Sequence, residues 1–434
     1  QYNISPETLL DQRHPSVNVD KILSEQVTFE MFKDYAVCAN GAMYRKDIKG
    51  FLPELMEKMY NERVIFKERM INAKKKYEKT PSKDLEKEIA RCNNIQMAKK
   101  ISLNSAYGAI GNQYFRYYKL ANAEAITLSG QVSIRWIENR MNSYLNKILK
   151  TEDVDYVIAS DTDSIYLNLG DLVDRVYEGR EKTNESVVSF LDKVCEKQFE
   201  PYIESSYQAL ATYVNAYDQK MFMKRENIAE RGIWTAKKRY ILNVYNSEGV
   251  DYDEPKLKIM GIEAVKSSTP EVCRGKIKEA INLIMTKDED TLQKFVADFR
   301  SEFEKMSAEQ ISFPRSCNNL AKYRHANDVF IKGTPIHVKG ALIYNHQIQQ
   351  YKLGNKYPLI QEGGKIKFVK LVEPNPFKFD VISYITKLPK EFKLDDYIDH
   401  DTMFQKTFLD PLSFILNSIG WSYEKKASLE AFFE

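Results

Sequence analysis

Three side chains suited to phosphate chemistry recur at helical spacing in Lys100-Ile101-Ser102-Leu103-Asn104-Ser105-Ala106-Tyr107-Gly108. Lys100, Asn104 and Tyr107 stand at i, i+4 and i+7, so a helix puts them on one face. Arg63 and Lys67 stand at i and i+4 earlier in the chain. A guanidinium fork and point-charge ammoniums converging on one surface suit a triphosphate, with an amide and a flat phenol ring beside it and Gly108 admitting a sugar or base. The ordinary fate of such residues is a solvated charged face. Convergence from two separate helices is what argues against it.

A second constellation is Asp161-Thr162-Asp163-Ser164, set between the β-rich runs at residues 154–159 and 164–167. Two carboxylates at i and i+2 in a tight turn can point the same way, and such a pair resists burial unless a cation compensates it. A calcium loop does not fit, because Ile165 and Tyr166 occupy positions where that loop needs a ligand and a glycine. A plain Asp-rich hairpin turn is the alternative. Cys38, Cys92, Cys195, Cys273, Cys317 and the five histidines are scattered, without zinc-site spacing. A catalytic metal would therefore rest on carboxylates, which favours Mg²⁺ or Mn²⁺.

The elements that must position these residues follow from pattern. Residues 53–78 and 83–107 lack helix breakers apart from the opening Pro53, and Thr80-Pro81-Ser82 between them is a turn that supplies its own helix cap. The result is a helical hairpin whose arms of about 25 residues are roughly 38 Å long. Folding near residue 80 or 81 pairs positions whose numbers sum to about 161. Arg63 then lies beside residue 98, less than one turn from Lys100. From Arg45 to Lys100 there are 16 Lys/Arg against 9 Asp/Glu, too polar for burial of the outer hairpin.

Around the hairpin, Ser5-Pro6-Glu7-Thr8 reads as a helix start, with a Ser cap, Pro first and an acid in the first turn. A third long helix covers residues 123–149, and helical sequence returns at 184–217. Residues 234–245 and 255–265 read as strands separated by Asn246-Ser247-Glu248-Gly249. Ser267-Ser268-Thr269-Pro270-Glu271 caps a further helix, after which helices alternate with loops. The 434 residues imply two or three domains. With 43% hydrophobic and 29% charged residues the composition is globular, and no apolar run approaches the ~18 residues of a membrane span. Net charge is +3, so nucleic-acid binding would have to come from local clustering. The scattered cysteines read as reduced thiols of a cytoplasmic protein.

Lys100…Asn104-Ser105-Ala106-Tyr107-Gly108, followed some fifty residues on by Asp161-Thr162-Asp163-Ser164, resembles motifs B and C of family B DNA polymerases. Tyr60-Asn61-Glu62-Arg63 with Lys67 is similar to the family's fingers helix. Lys237-Lys238-Arg239-Tyr240 is similar to its KKRY element, and Pro255-Lys256-Leu257-Lys258-Ile259-Met260-Gly261 to the following strand. The likeness is strongest to the branch found in T-even-type bacteriophages and reaches the tail. It implies an α+β fold: a palm with an antiparallel sheet (1–52 and 109–266), helical-hairpin fingers (53–108) and a mostly α-helical thumb (267–434).

By the same resemblance, Arg63, Lys67 and Lys100 hold the incoming dNTP triphosphate, and Lys100 donates a proton to the leaving pyrophosphate. Asn104 and Tyr107 border the nascent base pair. Asp163 and Asp161 bind two Mg²⁺ ions, for which Mn²⁺ can substitute, with Glu226 as a third acid. Lys237, Lys238, Arg239, Tyr240, Lys256 and Lys258 contact primer–template DNA. Leu429, Phe432 and Phe433, at helical spacing after Ser428, resemble a tail that grips a sliding clamp. Packing of that turn on the protein's own thumb is the alternative.

One departure matters. The family needs a further metal-binding Asp, in an Asp-x-x-Ser-Leu-Tyr-Pro-Ser motif that normally immediately precedes the stretch resembling Gln1-Tyr2-Asn3-Ile4-Ser5-Pro6-Glu7-Thr8. The expectation is therefore a split or truncated polymerase that needs an N-terminal portion carrying that Asp and the exonuclease, working in the cytoplasm of a phage-infected bacterium. The competing class is a non-catalytic subunit that binds DNA or the clamp. Such a subunit would be expected to lose its nucleotide and metal residues, yet Asp161, Asp163, Arg63, Lys67, Lys100 and Tyr107 all stand in place here.

Overall fold

The computed structural model describes residues 1–325 and 328–425. The described residues mix long helices with small antiparallel sheets, an α+β fold. They form two units.

The first unit comprises Gln1–Glu230 and Val244–Pro255. It opens with β1 (Leu9–Arg13), α1 (Val19–Leu23), β2 (Tyr35–Val37) and β3 (Ala42–Arg45), a sheet ordered β1-β3-β2. The helical hairpin follows as α2 (Phe51–Lys79) and α3 (Lys83–Ile110), then α4 (Leu120–Leu149) and the hairpin β4 (Val157–Asp161) and β5 (Ser164–Leu167). α5 (Gly170–Val176), α6 (Asn184–Val194) and α7 (Glu200–Tyr213) complete the helices, α6 and α7 being joined by a π-helical turn at Cys195–Phe199. The core gathers Ala36, Val37 and Tyr44 from the first sheet, Val132, Trp136, Met141 and Leu145 from α4, and Ile203, Tyr207 and Leu210 from α7. Trp136 is tied down as well as buried, because its Nε1–H donates to the Ser206 carbonyl at 2.9 Å.

The second unit takes Arg231–Asn243 and the described residues from Lys256 onward. The strands β6 (Asn227–Ala236), β7 (Arg239–Ser247) and β8 (Val250–Met260) thus divide their residues between the units. Then come α8 (Glu271–Thr286), α9 (Glu289–Phe303), α10 (Ala308–Ile311), β9 (Phe313–Ser316), α11 (Leu320–Tyr323), α12 (Ile336–Gln350), β10 (Lys365–Lys370), β11 (Val381–Tyr384), α13 (His400–Phe404) and α14 (Asp410–Ile419). A cluster of Phe299, Phe303, Phe404 and Phe408 sits at the centre of its core. The sheet β11-β10-β9 is an addition to the helices and loops expected there. Its strands are short, and β9 pairs with β10 across some fifty residues, although the alternation in Lys365-Ile366-Lys367-Phe368 signals one of them.

Two local readings are corrected. Ser5-Pro6-Glu7-Thr8 starts no helix; it is a turn running into β1. Its cap chemistry serves α2 instead. The N–H of Phe51 donates to Glu7 Oε1 at 2.6 Å, and that of Leu52 to Ser5 Oγ at 3.5 Å. The N-cap residue of α2 is Gly50, whose lack of a side chain is required because a Cβ there would lie 2.6 Å from that of Ser5. Burial works against the Glu7 carboxylate, yet the bonds from the Ser5 hydroxyl and the Phe51 N–H hold its pKa below the usual glutamate value. The second correction concerns residues 234–245. The run breaks at Lys237 and Lys238, which form the β6–β7 turn, with Lys238 at φ +62°.

Candidate active site

The register of the helical hairpin is written in two cross-helix contacts. Lys99 Nζ meets Glu62 Oε2 at 2.5 Å, and Tyr77 Oη donates to Glu86 Oε1 at 2.7 Å nearer the tip. The first pair sums to 161, the value set by a fold at residue 80 or 81, and Ser82 caps α3 by accepting from the Leu85 N–H at 3.3 Å. Arg63 therefore stands across from the turn of α3 that carries Lys100. Lys100, Asn104 and Tyr107 all face solvent on that helix, with Tyr107 43% exposed. A Cβ at Gly108 would meet nothing within 4 Å, so the end of this face is open.

The two cations of α2 differ in state. Arg63 is half-buried, and its Nε–H is buried without a partner among the described residues. A desolvated guanidinium donor left open costs on the order of 1–3 kcal/mol until an acceptor arrives. Lys67 is instead ion-paired with Glu248. Sequence reading treated Glu248 only as part of a turn, and its charge gave no sign of this partner. At the root of α2, Glu57 lies between Lys49 (2.5 Å) and Lys220 (3.0 Å), and hydrogen bonds from Lys49 and then Lys220 pull its pKa down to about 2.

The carboxylate pair sits at the apex of β4–β5. Asp161 pairs with Ser164 in the ladder, the Asp163 N–H donates to the Asp161 carbonyl at 2.6 Å, and Thr162 bridges them at φ +58°. Left-handed backbone at a β-branched residue is strained, and the Thr162 hydroxyl bond to Asp161 Oδ1 (3.0 Å) helps to hold it. Val157, Ile165 and Leu167 pack on the core, so the opposite face and the apex are turned outward. α4 fixes the approach to this hairpin: Asn142 Oδ1 accepts from the N–H groups of Tyr156 (2.9 Å) and Val157 (3.0 Å), and Asn146 clasps Val154. These two asparagines escaped sequence reading because mid-helix Asn carries no functional signal by itself.

Asp163 is exposed, and its charge reaches Tyr207. Burial pushes the Tyr207 hydroxyl up to about 12, and the Asp163 carboxylate adds to the rise. Two outward carboxylates on a braced turn suit a hard divalent cation. Among the described residues, no group of three His, Cys, Asp or Glu gathers to hold one, so Glu226 does not complete a triad with Asp161 and Asp163. The Glu226 carbonyl instead accepts from the Glu248 N–H at 2.6 Å.

On the second unit's strands, Lys237 and Lys238 project at the β6–β7 turn. Arg239 is engaged by both carboxylate oxygens of Glu263 (2.9 and 2.6 Å), and Tyr240 is buried against Trp234. Lys256 is exposed and Lys258 half-buried on β8, alternating with Leu257 and Ile259, which pack on the core. Leu429, Phe432 and Phe433 lie outside the described residues. Among the described residues no helix is long and apolar enough to cross a membrane.

Comparison with known proteins gives this arrangement a context. A family model described as DNA polymerase family B matches residues 1–203. Over its whole length the chain is also 34–35% identical to DNA-directed DNA polymerases of phages. The chain is thus similar to DNA polymerase family B. Within it, the chain resembles the DNA-directed DNA polymerase of Enterobacteria phage T4, at 34% identity, and that of Escherichia phage RB69, at 35%. It spans about half the length of these relatives, 53% of each. DNA polymerase 1 of Pyrococcus abyssi is 26% identical over 62% of the chain and 29% of that protein.

Proposed function

We propose that this chain supplies the nucleotide-binding and primer-extending portion of a DNA-directed DNA polymerase, with α2–α3 as fingers, the sheets around α4 as palm and the helices after residue 266 as thumb. The observation that carries the reading is the hairpin register, in which the Glu62–Lys99 pair sets Arg63 across from Lys100. Arg63, with its unpartnered Nε–H, and Lys67 grip the triphosphate of a dNTP. Lys100 brings charge and a proton to the leaving pyrophosphate, while Asn104 and Tyr107 border the new base pair on the open face.

Asp161 and Asp163 fit a carboxylate site for Mg²⁺ or Mn²⁺. When bound, such ions supply Lewis-acid activation of the primer 3′-hydroxyl and neutralise the leaving group. Two carboxylates leave that charge undercompensated, which supports a requirement for a further Asp from an N-terminal portion of the polymerase. Lys237, Lys238 and Lys256 track phosphates of the primer–template, and Arg239, held by Glu263, keeps the strand in place for them. The C-terminal tail binds a sliding clamp.

Primer extension by the chain, with and without an N-terminal portion bearing an Asp-x-x-Ser-Leu-Tyr-Pro-Ser motif, tests the reading. Extension only on mixing is the expected result. Full activity of the isolated chain would remove the shared metal site, and no activity with either would remove the enzyme.

A further inference from the structure

The pairing of Lys67 with Glu248 has no place in a site built only to receive phosphates, because one ammonium cannot serve a carboxylate and a triphosphate at full strength. We infer that Glu248 is a positioning residue that competes with the nucleotide for Lys67, so that triphosphate capture and release of α2 from the β7–β8 turn are one event. This inference rests on the nucleotide-binding reading above.

The turn is built to hold its carboxylate still. Glu248 and Gly249 are the two central residues between β7 and β8, at φ +52° and +81°, the double left-handed geometry of a type I′ hairpin. The Glu248 N–H is taken by the Glu226 carbonyl at 2.6 Å, and the Gly249 N–H by Asn246 Oδ1 at 3.0 Å. Asn246 is itself buried and bonded to Arg225 and, at 2.5 Å, to Asp251. α2 lies along this turn over two helical turns. Lys67 reaches Glu248, and a Cβ at Gly249 would come within 3.0 Å of Lys75 Nζ. The side chains of Lys67 and Glu248 are 35% and 25% exposed, so the pair is partly screened and can be outcompeted.

Arg63 marks the other half of the exchange. One turn before Lys67 on α2, it keeps an open buried donor while Lys67 is occupied. A polyanion arriving at this face gains an unpartnered guanidinium at once and must displace Glu248 to gain the ammonium. The carboxylate thus lowers affinity for the nucleotide in exchange for holding α2 docked when none is bound, and polyanions too weak to displace it obtain only part of the site.

The test uses the full chain, a fluorescent dATP analogue with Mg²⁺, and acylation of Lys67 read by mass spectrometry. Glu248→Gln should tighten nucleotide binding about 2- to 5-fold and speed acylation of Lys67 in the nucleotide-free chain, with Glu248→Asp close to wild type. In a Lys67→Ala background, Glu248→Gln should leave nucleotide binding unchanged, as a double-mutant cycle requires for a direct pair. Equal affinity of wild type and Glu248→Gln, or weaker binding by the variant, would overturn the competition while leaving nucleotide binding intact. Failure of every variant to bind nucleotide would overturn the polymerase reading and the competition with it.

Discussion

Three helices of similar length in the first unit, α4 and the two arms of the hairpin, are held in opposite ways. α4 buries eleven of its 30 residues, Trp136, Ile137, Met141 and Leu145 among them. α2 and α3 bury three each of 29 and 28. The hairpin arms are held to one another by pairs such as Glu62–Lys99 and Tyr77–Glu86, and to the rest of the unit by ion pairs at Glu57 and Glu248. Packing gives α4 a stability close to that of the whole unit, whereas charge pairs of low individual worth leave the hairpin able to open locally. The rigid helix braces the carboxylate turn. The loosely held one carries the residues proposed to take a new ligand.

The largest effect should come from breaking the rigid side. Trp136→Ala should cost about 3–5 kcal/mol of unfolding free energy, read as a lower urea midpoint at constant m. A loss under 1 kcal/mol would erase the contrast. On the loose side, Lys100→Ala should slow single-nucleotide incorporation by the complemented polymerase by roughly 10²–10³-fold. Its unfolding free energy should stay within about 0.5 kcal/mol of wild type.

Hydrogen exchange should rank the two regions directly. Amides in the outer hairpin, near residues 74–88, should exchange at least about 100-fold faster than those of α4 near residues 132–145, after correction for intrinsic rates. Equal protection would make the hairpin part of the core. The smallest effect concerns the root of α2. Glu57 has its pKa depressed to about 2 by Lys49 and Lys220. Its pairing is therefore fully present above the unfolded glutamate value near 4.3 and is lost as pH falls toward 2. Protection of the first turns of α2 should fall in that window, and Glu57→Gln should flatten the fall without touching α4.

Much of this was legible from spacing alone. A fold at residue 80 or 81 gave the partner sum of 161 that Glu62 and Lys99 obey, and an Asp-Thr-Asp-Ser sequence between apolar runs gave the β4–β5 turn. What escaped depended on long-range closure. Ser5 and Glu7 read as the start of a local helix that does not form, and nothing local could say that their acceptors serve a helix beginning at Phe51. Lys237-Lys238 hid a turn because lysine is neither Gly nor Asn, yet Lys238 accepts φ +62° there. The Glu248–Lys67 pair joins residues that no periodicity relates. Electrostatic partners across a fold are set by the backbone that brings them together.

The cap on α2 has a kinetic side. Each arm of the hairpin, and the contact between them, is nearly local in sequence and can form early, as low contact order predicts. The first turn of α2 is different. Its Phe51 N–H waits for Glu7, and Asn3 must bind the Arg45 and Ile48 carbonyls at 2.8 Å each to bring that segment in, closures of 42 to 47 residues. Such a loop closes later than a helical zipper forms. In refolding, far-UV helical signal should therefore recover before protection of the Phe51 amide. Glu7→Ala should delay or weaken that late step alone, leaving a hairpin that is formed but not yet rooted.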